Sequence, residues 1–318
     1  MGIKFQMKIH FSNVNFGSRS GPNTFAFRLA DGLKKRGHKI VDASDNYDVF
    51  LAFIEPASKP RPDCRLIQRL DGIWFKPEEF HTHNQNIKWA YDNAHEVIWQ
   101  SEFDKGMTEH HWGERSGTVI HNGIEMLKSK SIDKTIFGDC EKLFVCSANW
   151  HPQKRLEDNI RVFRKILKTY PKSTLAIMGK FVVPELSRIA EKDPELASCF
   201  NSLRITGDLQ HSQCLEIFAT ADWMIHTAWL DHCPNVVVES LSQNCPVICA
   251  SEGGTKEIVG SNGIVIQGVP YNFELTDYDK PPRLDLDNFV LPDIIEVDSS
   301  HLDIEHVIDK YEKVLAGT

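Results

Sequence analysis

The chain has 318 residues, 41% of them hydrophobic and 25% charged, which is an ordinary globular mix long enough for two domains with real cores. Thirty-six basic residues against 44 acidic ones give a formal charge of -8, which argues against a partner such as duplex nucleic acid or an anionic membrane. A small anionic ligand stays possible, because it needs only a few local cations and backbone amides. The longest apolar run, Val49–Ile54, falls far short of the roughly 20 residues of a membrane span, which leaves peripheral membrane contact open. Met1–Phe11 lacks the pattern of a secretory signal. Met1–Gln6 reads as an expression scar or a native start; the sequence alone leaves both open. The eight cysteines include no C-x-x-C pair, which predicts reduced, buried thiols in a cytoplasmic protein. The fourteen histidines show no ligand spacing, so no metal site is expected.

In chain order, strands are predicted at Met7–Phe11, Asp48–Phe53, Cys64–Gln68, Glu96–Trp99 and Thr118–Ile120. Helices are predicted at Asn23–Arg36, with Phe25, Leu29 and Leu33 on one face, and at Gln85–Asn93 and Glu102–His111. Glu125–Asp139 loses periodicity and reads as a linker. The alternation resumes with strands Leu143–Ser147, Thr174–Met178, Leu203–Thr206, Trp223–Thr227, Pro246–Ala250 and Gly263–Ile266. Between them lie helices Leu156–Thr169, Pro184–Glu191, His211–Thr220 and Pro234–Gln243. Gly268–Ser300 looks irregular, and Leu302–Leu315 reads as a final helix with Ile304, Val307, Ile308 and Tyr311 on one stripe. Strands alternating with helices indicate βαβ units and parallel sheets. The expected architecture is α/β, two facing Rossmann-like domains. Residues 1–127 form the first, 128–140 a linker, 141–300 the second, and 301–318 a helix returning to the first domain.

Ligands of open parallel sheets bind at the carboxyl ends of the strands, and the best motifs follow strands. Asp231-His-Cys-Pro-Asn-Val-Val-Val-Glu239 opens a helix. Pro234 suits its first position, which leaves the amides of Asn235, Val236 and Val237 for an anion, with Glu239 in reach of ribose hydroxyls. Alone, the segment fits a capped amphipathic helix with a solvated Glu239 equally well. Asn244 stands where a left-handed residue would end that helix. Ser147-Ala-Asn149-Trp-His-Pro-Gln-Lys154-Arg155 places a cation against a helix start, a conflict a bound diphosphate would remove. A solvated Lys-Arg pair is the competing reading. Phe16-Gly17-Ser-Arg-Ser-Gly21-Pro-Asn23 follows the first strand and lets backbone approach a ligand, or is a turn with an Asn23 cap. It does not spell G-x-G-x-x-G. Gln68-Arg69-Leu-Asp71-Gly72 places Asp71 after a strand, where it faces the cleft and orients an acceptor hydroxyl, or simply makes a turn. His121-Asn122-Gly123 at the hinge and Ser251-Glu-Gly253-Gly254-Thr255 are weaker signals.

Ala221–Ile266 resembles the donor-binding half of retaining GT-B glycosyltransferases, specifically glycosyltransferase family 4, whose hallmark is E-x7-E followed by a glycine-rich turn. "VIHNGI" at 119–124 resembles that family's hinge strand, "ANWHPQKR" its phosphate-binding segment, and Gly21–Ile40 its N-terminal region. The resemblance implies a retaining, metal-independent hexosyltransferase that uses a UDP- or GDP-linked donor, a glycan or similar hydroxyl acceptor, and no further cofactor. It implies that Asp231 contacts the donor sugar, that Pro234, Asn235 and Val236 hold donor groups through backbone, that Glu239 holds ribose, and that Lys154 stabilises the leaving diphosphate. Asn149, Arg155, Gly17, Gly21, Asn122 and Gly207 complete the expected donor-binding positions, and Asp71 joins Lys154 and Asp231 as a catalytic candidate. Three departures stand out. Asp231 replaces the first Glu, Asn149 replaces the usual phosphate-binding Arg, and Asp71 stands where many members carry a catalytic His. Two rival readings remain: a non-catalytic nucleotide-sugar-binding protein, and a GT-B sugar-nucleotide epimerase.

Overall fold

A computed structural model of the chain describes residues 6–18, 20–292 and 295–318. Met1–Phe5 of the proposed scar, Arg19 of the glycine loop, and Asp293 and Ile294 of the irregular stretch lie outside the described residues. The chain divides into two compact units. The first runs to Glu125 and includes Asn272–Thr276 and His301–Thr318; the second comprises Met126–Tyr271 and Asp277–Ser300.

The N-terminal unit contains β1 (Lys8–Ser12), α1 (Gly21–Lys35), β2 (Lys39–Val41), β3 (Val49–Phe53), β4 (Arg65–Leu70), α2 (Pro77–His83), α3 (Gln85–Asn93), β5 (Glu96–Trp99), α4 (Glu102–Trp112) and β6 (Gly117–Val119). Its six strands are parallel, in the order β2-β1-β3-β4-β5-β6. Every residue of β3 is buried, as a strand covered by helices on both faces must be. Two expectations change here, and two elements are added. The first helix starts at Gly21, not Asn23, and Asn23 is no cap: its Oδ1 accepts from Asn15 N at 2.8 Å and its Nδ2 donates to Ser20 Oγ at 2.8 Å. Strand β2 and helix α2 were not foreseen, because three residues and an exposed seven-residue turn of helix carry little periodicity.

The C-terminal unit contains β7 (Lys142–Ser147), α5 (Leu156–Thr169), β8 (Ser173–Met178), α6 (Val182–Lys192), α7 (Pro194–Ala197), β9 (Leu203–Gly207), α8 (His211–Phe218), β10 (Trp223–His226), α9 (Asn235–Ser242), β11 (Val247–Ala250), α10 (Thr255–Val259) and β12 (Gly263–Ile266). Its six parallel strands run β12-β11-β10-β7-β8-β9. The order reverses between β7 and β10, which opens a crevice at their carboxyl ends. Residues 126–139 hold only a 3-10 turn, Lys134–Phe137. They are pinned to this unit: Lys128 Nζ donates to Ser242 O at 2.5 Å and to Asn244 Oδ1 at 2.7 Å, and Lys134 pairs with Asp222 at 2.8 Å.

The last helix, α11 (Ile304–Ala316), completes the N-terminal unit. The predicted stripe is buried, with Tyr311 against Phe25 at 5.8 Å between ring centroids. The approach to α1 is so close that a Cβ on Gly32 would meet Ile308 Cδ1 at 2.0 Å. Arg36, at the end of α1, binds Asp309 at 2.5 Å and Glu312 and Glu305 at 2.7 Å each. None of the eight cysteines forms a disulfide, and no described helix is long and apolar enough to cross a membrane.

Candidate donor site

The crevice between β7 and β10 is where the strongest sequence signals meet. A 3-10 turn, Pro152–Lys154, follows β7, and the loop after β10 carries Asp231. Gln153 O accepts from Trp229 N at 2.8 Å, which fastens the two loops together. Across that join Lys154 Nζ donates to Asp231 Oδ2 at 2.5 Å, and His226 Nε2, from the last residue of β10, lies 3.4 Å from the same oxygen. Burial pushes the Asp231 carboxyl upward, but the Lys154 charge and the His226 contact outweigh it and hold the group well below the usual carboxylate range. Asp231 is therefore a carboxylate at neutral pH, a hydroxyl acceptor rather than a general acid. Lys154 keeps 28% of its side chain exposed.

Backbone strain surrounds this pair. Arg155, next to Lys154, has φ 50°, and Leu230, before Asp231, has φ 56°. A bulky residue rarely adopts the left-handed region, and such strain persists only where the surroundings over-determine it. Those surroundings are visible. Gly254 N donates to Asp231 O at 2.8 Å, and a Cβ on Gly253, at φ 97°, would come within 2.7 Å of that carbonyl. The weak Gly253-Gly254 signal is thus the bed of Asp231. Arg155 is buried: its guanidinium binds Glu252 at 3.0 Å, Pro282 O at 2.8 Å and Thr227 O at 3.3 Å. These bonds point it into the unit's interior, away from Lys154. Its neighbour Asn159 donates to Arg155 O at 3.0 Å and accepts from Thr227 N at 3.3 Å.

Pro234 is the N-cap of α9, with ψ 119°, not its first helical residue, so the helix starts one residue later than expected. Val237 N is taken by Pro234 O at 3.0 Å, which removes it from the amides expected to meet an anion. Glu239, a turn on, is buried, and its Oε1 lies 3.0 Å from Nε2 of His211, the first residue of α8. Asn244 has φ 63°, the left-handed stop its position predicted. Gly207 has φ 74°, and its carbonyl accepts from Gly179 N at 2.8 Å, which ties the loops after β8 and β9. Asn149 is exposed in the loop before Lys154, its carbonyl bonded to His151 N at 3.0 Å.

The remaining candidates belong to the N-terminal unit and form their own group. Asp71 follows β4 and pairs with Arg69; Arg69 also donates to Asn122 Oδ1 at 2.7 Å, and Asn122 Nδ2 donates to Gln100 Oε1 at 2.9 Å. Arg69 is fully buried, with its guanidinium 4.5 Å from the Phe25 ring centroid. Asp71 and Asn122 are thus brought together by a residue that was not singled out. Gly17 and Gly21 lie elsewhere: Gly17 N donates to Asn15 Oδ1 at 3.0 Å, and Gly21 opens α1. His226, His211, Glu252 and Arg69 were missed. A polar residue ending or interrupting an apolar strand, as in Trp223–His226 and Arg65–Leu70, was the available signal for two of them.

Two parallel-sheet Rossmann-like domains of this kind define the GT-B fold. A family model described as glycosyl transferases group 1 matches residues 128–272. Among solved structures, Anabaena Alr3699/HepE in complex with UDP-glucose aligns with TM-score 0.67 at 15% identity, covering 98% of this chain and 100% of that one. AviGT4, a glycosyltransferase involved in avilamycin A biosynthesis, aligns with TM-score 0.64 at 15% identity, covering 98% and 99%. Sucrose-phosphate synthase from Thermosynechococcus elongatus aligns with TM-score 0.65 at 11% identity, covering 98% and 100%. No curated protein matches by sequence.

Proposed function

We propose that the protein is a retaining glycosyltransferase of family 4 that moves a hexose-type sugar from a UDP- or GDP-linked donor to a hydroxyl of a glycan or similar acceptor, without a metal. The observation that carries this reading is the Lys154–Asp231 pair, held by strained backbone at the β7/β10 crevice. Lys154 supplies the positive charge that a leaving diphosphate needs. When the donor binds, the diphosphate takes over Lys154, and Asp231 turns its carboxylate to the sugar hydroxyls, with His226 still beside it. Asn235 and Val236 present amides at the start of α9, and Glu239 accepts from the ribose. Arg155 is a positioning residue that fixes the Lys154 turn through Glu252. On the N-terminal unit, Asp71, clamped by Arg69, orients the acceptor hydroxyl. The sugar–phosphate C–O bond breaks, the acceptor oxygen bonds to the same face, and its proton passes to the leaving phosphate.

The test incubates the protein with UDP- and GDP-hexoses and a panel of hydroxyl acceptors, with and without EDTA, and follows the products by NMR. Transfer with retained anomeric configuration, undiminished by EDTA, is the expected result. Binding without turnover of any donor would replace this reading with a nucleotide-sugar-binding protein. Conversion of the donor without an acceptor would identify an epimerase, and an inverted product would remove the retaining mechanism.

A further inference from the structure

Helix α3 turns an unusual stripe to solvent. Ile87, Ala90 and Tyr91 face the core, while Gln85, Lys88, Trp89 and Asp92, at i, i+3, i+4 and i+7, share the other face. Trp89 is 40% exposed, an uncommon place for the largest apolar side chain. It forms one wall of a pocket of about 360 Å3, with Phe80 of α2 and Trp112 at the end of α4 among the others. That volume lies at the lower end of the roughly 300–1,000 Å3 of small-ligand sites. Two charges line it. Lys88 Nζ donates to both oxygens of Asp92 at 2.8 Å and sits 5.8 Å from the Trp112 ring centroid.

We infer that this pocket binds a neutral saccharide ring. The two charges cancel, so a cation meets Lys88 and an anion meets Asp92; a neutral ligand meets neither penalty. A sugar pairs an apolar C–H face, which stacks on an exposed indole, with hydroxyls that donate to Asp92 and accept from Lys88 and Gln85. Position separates the pocket from the residues assigned above. The pocket is lined from α2, α3 and the end of α4. Asp71 follows β4 and Asn122 follows β6. The pocket thus holds a sugar on side chains that include none of the residues assigned above. The inference goes beyond the proposed transfer reaction and does not depend on it.

The experiment measures binding directly, with no donor present. The full chain is screened against immobilised neutral gluco-, galacto-, manno- and chito-oligosaccharides, and the binders are titrated by calorimetry. Trp89→Ala should weaken binding by about tenfold, the loss of one stacking ring, and Asp92→Asn should weaken it measurably. Neither variant should change the circular dichroism or the affinity for UDP, which reports on the other unit. Absence of binding to every glycan at millimolar concentration would overturn the inference, as would undiminished binding by Trp89→Ala.

Discussion

Lys154→Ala tests the proposed chemistry most directly. The ammonium is the cation at the crevice, 2.5 Å from Asp231 Oδ2. As the sugar–phosphate bond breaks, about one further negative charge develops on the diphosphate. A unit charge about 4 Å away, at an effective dielectric near 20, stabilises it by about 4 kcal/mol. Removing a preorganised donor of this kind costs about 3–4 kcal/mol elsewhere, so kcat should fall by about 10²–10³. The effect on folding should be much smaller. Lys154 is 28% exposed, and Asp231 keeps His226 at 3.4 Å and its backbone bond from Gly254. The assay compares kcat for transfer or donor hydrolysis with the melting temperature of the same preparation. A variant that keeps kcat within about threefold of wild type, with an unchanged melting temperature, would refute the assignment of Lys154 as the leaving-group cation.

Glu239→Ala should weaken UDP binding by about tenfold or more, the value of a hydrogen bond to a charged group, read by calorimetry with the melting temperature as control. Gly253→Ala should lower both stability and turnover, because φ 97° and the contact with Asp231 O leave no room for a Cβ; an unaltered melting temperature and activity would contradict the bed proposed for Asp231. Arg155→Met should destabilise the fold by about 3–5 kcal/mol in urea unfolding, because it strands the buried Glu252 carboxylate. The pH dependence has a definite sign. Asp231 is held below its unfolded value, near 3.9, so its contribution is complete above about pH 5 and is lost as pH falls toward the folded value. The stability difference between wild type and Asp231→Asn should therefore shrink on acidification from about pH 6 to pH 3.

Much of this molecule was legible in its sequence. The alternation of apolar runs and 3.6-period stripes placed the longer strands and helices, because each must bury a face and burial leaves that pattern in the chain. The stripe of α11 is an example, with Ile304, Val307, Ile308 and Tyr311 all buried. Spacing also placed the left-handed Asn244, because a helix stop is a local event. What spacing could not supply were the meetings between distant residues. Lys154 and Asp231 stand 77 positions apart, and Arg69 and Asn122 stand 53 apart. Their pairing depends on which strands are neighbours, and the sheet order is a choice made by packing the whole unit. The same holds for Arg155. As half of a Lys-Arg dipeptide it read as a ligand cation, yet a left-handed backbone turns it inward to Glu252. The local sequence determined which segments are strands and helices. The tertiary structure decided which charges face a ligand and which face each other, because a charge's role is set by the partners that folding brings to it.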